Sequence, residues 1–288
     1  MEQSRSKVLQ RRRIKKEVIK MIIDFHTHTF PEKIAESALK KLAQTSGTVP
    51  HLDGTETALK NSMKEYGITY SVMLPVATKP HQVPGINDHA IKANAKALSE
   101  GGGLLSFGAM HCAYEGYREE LKRLKEAGIK GIKLHHDYMN IYFDDEQSLR
   151  VIQEAFSNGL IVMLHAGDDP VSREIHYCAP ERIAGALDRL KGGILIASHF
   201  GGLMNVEEAK EFLAGKDIYI DTSMSHHYFG LETLREMLLL HAPDKILFGT
   251  DSPWENQGTG LALLRSMSLS EEMIRTITEE NPRRVLGL

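Results

Sequence analysis

Cysteine is scarce in this chain. Cys112 and Cys178 are the only two among 288 residues, too few for a disulfide framework. No apolar run approaches the ~20 residues that span a bilayer. The first twenty residues have no apolar core and no small-residue cleavage site, so they do not read as an export signal. A reducing cytoplasm is therefore the expected compartment. There is no Gly-rich phosphate fingerprint, which argues against a nucleotide-binding doubly wound sheet. Solenoid repeats and low-complexity stretches are also missing.

Charge is unevenly spread. Eight basic residues (Arg5, Lys7, Arg11, Arg12, Arg13, Lys15, Lys16, Lys20) against Glu2 and Glu17 give residues 1–20 a charge of +6. With −3 for the whole chain, residues 21–288 carry −9. A body of that sign offers no electrostatic footing for nucleic acid. The basic head reads as an appendage without catalytic role, and 21–288 as one domain.

What is present is alternation. Short apolar runs at 21–25, 70–75, 104–110, 131–134, 160–165, 194–198, 218–221 and 246–249 read as eight strands. Helical patterns separate them: one opens at Pro31, and others span 55–66, 86–99, 114–127, 146–158, 180–190, 206–213, 231–241 and 270–279. Gly67, Gly128 and Gly159 stand where helices must stop, in the left-handed position that glycine adopts easily. Eight strands alternating with helices predict an α/β fold, a (β/α)₈ TIM barrel.

Such barrels carry their chemistry at the C-terminal ends of the strands. His26 and His28 end the first run, and side chains two apart in a strand face one side. His165, His199 and Asp251 end later runs. Three or four imidazoles and a carboxylate in one cup suit Zn²⁺, with Mn²⁺, Fe²⁺ or Co²⁺ as alternatives, and leave room for an activated water. Taken singly, a histidine at a strand end is most often a hydrogen-bonded core or surface residue, and Asp251 could cap a helix. The joint pattern favours a metal site. Loops after the strands add His111, Asp137, Tyr138, Asp168, Arg173, His176, Ser223, His226 and Trp254. Arg173 could clamp a substrate carboxylate or pair with Asp168 or Glu174, and Trp254 could wall the pocket or belong to the core.

The runs Ile22-Ile23-Asp24-Phe25-His26-Thr27-His28, Gly131-Ile132-Lys133-Leu134-His135, Ser198-His199-Phe200-Gly201-Gly202 and Gly249-Thr250-Asp251-Ser252-Pro253, with His165, resemble the amidohydrolase superfamily. The nearer resemblance is to its branch of TIM-barrel metal-dependent hydrolases that includes aminocarboxymuconate-type decarboxylases. It extends over residues 21–288. It implies His26, His28, His165 and Asp251 as ligands of a single metal and His199 as a group polarising water or substrate. It also implies that Lys133, with His135, stands where many members bridge a second metal through a carboxylated lysine; the uncarboxylated cation is the preferred reading here. His136 departs from the proline expected after His135. Nucleases that share an early His-x-His would place a glutamate near Lys133.

The expected activity is hydrolysis of an amide, ester or lactone-like bond in a small molecule, with Asp251 moving the proton and His199 steadying charge. The alternatives are a metal-dependent non-oxidative decarboxylase and a catalytically inactive metal-binding barrel. His176 and Trp254 join Arg173 as substrate candidates. Neither a membrane nor a nucleic acid is expected as partner, and a homodimer is a reasonable prior.

Overall fold

A computed structural model describes residues 21–170, 172 and 174–288; the basic head and Arg173 lie outside the described residues. Among the described residues nine strands follow in chain order: β1 Ile22–Thr27, β2 Ile68–Met73, β3 Gly103–Ser106, β4 Gly108–Ala109, β5 Gly131–Leu134, β6 Ile161–Leu164, β7 Leu195–Ala197, β8 Tyr219–Asp221 and β9 Ile246–Leu247. Every pairing is parallel, in the orders β1-β2-β3 and β4 through β9.

Strands β3 and β4 are two halves of one stave, where the sequence predicts a single strand over 104–110. The stave breaks at Phe107, whose N–H donates to Met73 O. Beyond the break the buried side chain of Asn87 accepts from Ala109 N at 2.7 Å, taking the place of a strand partner. Closure of the ring comes from Phe25 N to Phe248 O, Asp251 N to His26 O and His28 N to Ser252 O, at 2.7, 2.8 and 2.6 Å. The eight-stave barrel stands as expected.

Two apolar layers hold it. Ile23, Phe25, Phe107, Ile161, Met163, Ile196 and Leu247 fill the barrel interior, with Phe25 and Phe107 meeting edge to face at 5.8 Å. Ile132, Leu134, Val162, Leu164, Leu195 and Ala197 point the other way and pack beneath the helices. The period of two along each strand therefore carries Lys133, His165 and Ser198 inward at the next steps.

Strand β1 breaks that period. Asp24 pairs with Ser71 and Thr27 with Met73, so three residues on β1 answer two on β2. This β-bulge lets Phe25 plug the interior while His26 and His28 still face the open end. Thr27 turns away and its hydroxyl donates to Val72 O.

The helices match the predicted set with shifted ends. Glu56–Tyr66 starts on Thr55, whose hydroxyl accepts from Ala58 N, and stops at Gly67 with φ 71°. The predicted helix over 270–279 continues as a wider π turn, Thr276–Glu280, into Asn281–Leu286. That turn frees Ile277 O to accept from Phe248 N. A helix at Gln257–Ser266 has no counterpart in the predicted set; two early glycines weaken its signal, and Asn256 caps it through Gly258 N and Thr259 N. Among the described residues no helix is long and apolar enough to cross a membrane.

Candidate metal centre

Beyond the β1 bulge, His26 Nε2 and His28 Nε2 stand 3.1 Å apart, and both face Asp251 Oδ1, at 3.2 and 3.0 Å. The other nitrogen of each ring is committed. His28 Nδ1 donates to Leu74 O at 2.8 Å, and His26 Nδ1 donates to the Asp221 carboxylate at 2.7 Å. A carbonyl and a carboxylate only accept, so in the neutral, ligating form of each ring the lone pair is on Nε2. Two lone pairs and a carboxylate oxygen crowded within 3.2 Å repel one another unless a cation lies between them. Donor atoms of an ion with ~2.1 Å bonds are spaced by about 3.0–3.4 Å. The trio fits a divalent metal.

Asp221 organises the neighbouring imidazole as well. It accepts from His199 N and Ser223 N, both at 2.9 Å, and from the Ser223 hydroxyl at 2.5 Å. With its proton so committed, Ser223 Oγ accepts from His199 Nδ1 at 2.8 Å, which leaves His199 Nε2 as the lone-pair atom. That atom faces His165 Nδ1 at 3.1 Å. Gly249 makes the arrangement possible: a Cβ there would lie 2.8 Å from His26 Cβ and 3.2 Å from Asp221 Cγ. His199 and Asp251 have left-handed backbones, φ 61° and 66°, a conformation costly outside glycine and concentrated at functional sites.

Burial tunes these groups. It holds His26, His165, His199 and His135 well below the usual imidazole range, helped by the nearby charge of Lys133, so all four are neutral at pH 7. Neutral imidazole is the ligating form. Burial also raises the Asp251 carboxyl and lowers the Lys133 ammonium to about 8. Lys133 is 1% exposed, donates to Ser198 Oγ at 3.2 Å, and has no carboxylate within ion-pair distance among the described residues.

The remaining predicted residues divide. His135 lies flat between Tyr138 and His165, with ring centroids 4.0 and 4.2 Å away, and its Nε2 is 3.3 Å from Asp169 Oδ2. Among the described residues, buried His135 Nδ1, Asp137 Oδ2 and His165 Nε2 have no hydrogen-bond partner, so this side of the cup is open to a polar ligand. His135, His165 and Asp169 form a second all-buried group with donor atoms within 4.8 Å of one another. His165 thus joins His199 and His135 more closely than it joins the His26–His28–Asp251 trio. His176 sits on the rim, 57% exposed and paired with Asp168 at 2.7 Å. Trp254 is half-buried, its backbone N–H donating to Asp251 O. Arg173 lies outside the described residues.

Two residues escaped the sequence reading. Asp221 ends β8 and obeys the strand-tip rule that found the others, but a carboxylate orienting a ligand leaves no spacing signature. Asp24, fully buried, accepts from Thr250 N, the Thr250 hydroxyl, Gln257 Nε2 and His26 N. It ties β1 to the Asp251 segment.

Comparison with known proteins adds the family. No functionally curated protein matches the chain. Among solved structures, a dihydroxybenzoic acid decarboxylase of Polaromonas with bound manganese and 2-nitroresorcinol is similar at 18% identity and TM-score 0.69, with 93% of this chain and 97% of that one covered. A 5-carboxyvanillate decarboxylase of Sphingomonas paucimobilis is similar at 13% identity and TM-score 0.66, covering 93% and 99%. A probable 2-pyrone-4,6-dicarboxylic acid hydrolase of Acinetobacter baumannii with bound citric acid is similar at 17% and TM-score 0.66, covering 93% and 99%. The profile of the amidohydrolase family Amidohydro_2 matches residues 23–288, and the chain belongs to that family.

Proposed function

We propose that the protein is a metal-dependent, non-oxidative decarboxylase of a small carboxylated substrate. The observation that carries this reading is Lys133: a buried ammonium whose only hydrogen-bond partner is a hydroxyl, among the described residues, at the floor of the histidine cup. A buried cation without a counter-charge favours an anionic ligand. The decarboxylase relatives of the same fold support it further, and the hydrolysis expected from the sequence gives way to the alternative raised beside it.

A divalent metal bound by His26, His28 and Asp251, with His165 beside them, supplies Lewis-acid polarisation of the substrate's oxygens. The protein's own groups do the rest. Lys133 balances the negative charge that builds as the carbon–carboxyl bond breaks and its electron pair stays on carbon. His26 and His28 both address Oδ1 of Asp251, which leaves Oδ2 to deliver a proton to that carbon. CO₂ departs and Asp251 is reprotonated from solvent. His199, fixed by Ser223 and Asp221, holds its Nε2 toward the cup.

The test is a screen of protein loaded with Zn²⁺ or Mn²⁺ against hydroxybenzoates and against lactones bearing carboxylates. The expected outcome is CO₂ release, with one solvent deuterium appearing at the vacated carbon in D₂O. Ring opening without CO₂ across the lactones would instead establish the hydrolase reading.

A further inference from the structure

Outside the catalytic cup, three histidines converge on one buried carboxylate. Glu255 is 2% exposed; its Oε2 lies 2.8 Å from His226 Nε2 and 3.2 Å from His227 Nε2, and its Oε1 lies 3.9 Å from His51 Nε2. No lysine or arginine pairs with Glu255 among the described residues. A carboxylate buried to that degree ordinarily has a cationic partner.

The backbone brings the donors together from three segments. Consecutive residues in a strand point opposite ways, but Met224, with φ 53°, leads into a tight turn over Ser225–His227. The turn sets both imidazoles on one side, ring centroids 4.0 Å apart, with both Nε2 atoms on the same oxygen. His51 N donates to Pro253 O at 2.7 Å, which brings the rim loop beside Glu255. Asn256 N donates to Glu255 Oε1 at 2.7 Å and fixes the carboxylate's orientation. His226, His227 and Glu255 keep their donor atoms within 4.8 Å of one another and share no residue with the groups around Asp251 or Asp221.

We propose that His226, His227 and Glu255, with His51 or water as fourth donor, form a second, structural Zn²⁺ site at the barrel mouth. Two imidazoles and a carboxylate in a near-closed set match zinc's borderline preference and tetrahedral habit. An ion there neutralises Glu255 and pins the rim loop and the segments following β8 and β9 to one another. The site is independent of the reaction assigned above.

The test uses tag-free full-length protein, stripped with chelator, retitrated with Zn²⁺ and analysed for bound metal after desalting. His226→Ala/His227→Ala should hold one equivalent fewer than the unaltered protein. His26→Ala/His28→Ala, with its cup disabled, should still bind one equivalent, and that equivalent should vanish when the two pairs of changes are combined. Glu255→Gln, which keeps the side chain's volume, should weaken the same equivalent at least tenfold, and it replaces the double variant if that one fails to fold. The proposal is overturned if the cup-disabled protein binds no zinc below about 10 μM at pH 7.5. It is equally overturned if His226→Ala/His227→Ala and Glu255→Gln retain the full complement.

Discussion

Asp221 contributes nothing to the His26–His28–Asp251 trio directly, yet it decides which nitrogens His26 and His199 present. Carboxylates that orient metal-bound imidazoles typically account for 10–100-fold in metal affinity. Asp221→Asn is therefore expected to weaken metal binding by about that factor while the fold persists, as read by chelator competition alongside circular dichroism; unchanged affinity would refute the orienting role. Lys133 supports a different expectation. Lys133→Met should leave the metal content intact and abolish turnover of carboxylated substrates, whereas loss of metal would reassign Lys133 to the metal site. These residues were unequally legible. His26, His28, His165, His199 and Asp251 each end an apolar run, and that placement was readable. Asp221 ends one too, but its role emerges only when a ring 195 residues away is packed against it.

Among the elements, β1 shows where pattern reading stopped. Alternation correctly put His26 and His28 on one side, but it could not foresee that Phe25 faces inward as well, because a bulge depends on pairing with β2. The split of the third stave at Phe107 and the Gln257–Ser266 helix were illegible for similar reasons: an asparagine from a neighbouring helix replaces a ladder partner, and a capping Asn256 offsets two helix-weakening glycines. His136, where proline was expected, is fully buried, and its Nε2 meets Ser148 Oγ at 2.8 Å. It thereby joins the short His136–Met139 helix to Glu146–Ser157. Burial lowers its pKa from 6.5 to about 3. Below pH 6.5 the unfolded chain takes up a proton that the folded one refuses, so stability falls as pH drops from about 6.5 toward 3. At pH 4.5 the loss from this residue is on the order of 2–3 kcal/mol. His136→Gln should flatten the acid limb of a urea-midpoint profile between pH 7 and 4.5; identical limbs would show that His136 does not titrate this way. Asp24→Ala, which cuts three bonds from β1 to Thr250 and Gln257 and the one to His26 N, should cost roughly 2–4 kcal/mol by thermal unfolding and loosen metal retention as well.

At the scale of the molecule, the barrel brings together groups as far apart in sequence as His26 and Asp251. A bound ion at that junction links the first stave to the last and adds RT ln(1 + [M]/Kd), about 2.7 kcal/mol at a hundredfold excess over Kd. Metal-stripped protein should accordingly unfold several degrees lower and recover on adding Zn²⁺ or Mn²⁺; a melting temperature indifferent to metal would count against the centre. The barrel class was visible in the count of strands and the glycine stops, since both follow from local chemistry. That Asp221 orients His26 and His199, and that Glu255 gathers three histidines, were not visible, because they arise from segments meeting across the mouth. The chemistry of the cup rests on His26, His28 and Asp251 holding one ion. An anomalous-difference map from crystals grown with Zn²⁺ or Mn²⁺, recorded at the metal's absorption edge, tests it directly. The prediction is a peak at bonding distance from His26 Nε2, His28 Nε2 and Asp251 Oδ1; no peak there, or one bound by other residues alone, would contradict it.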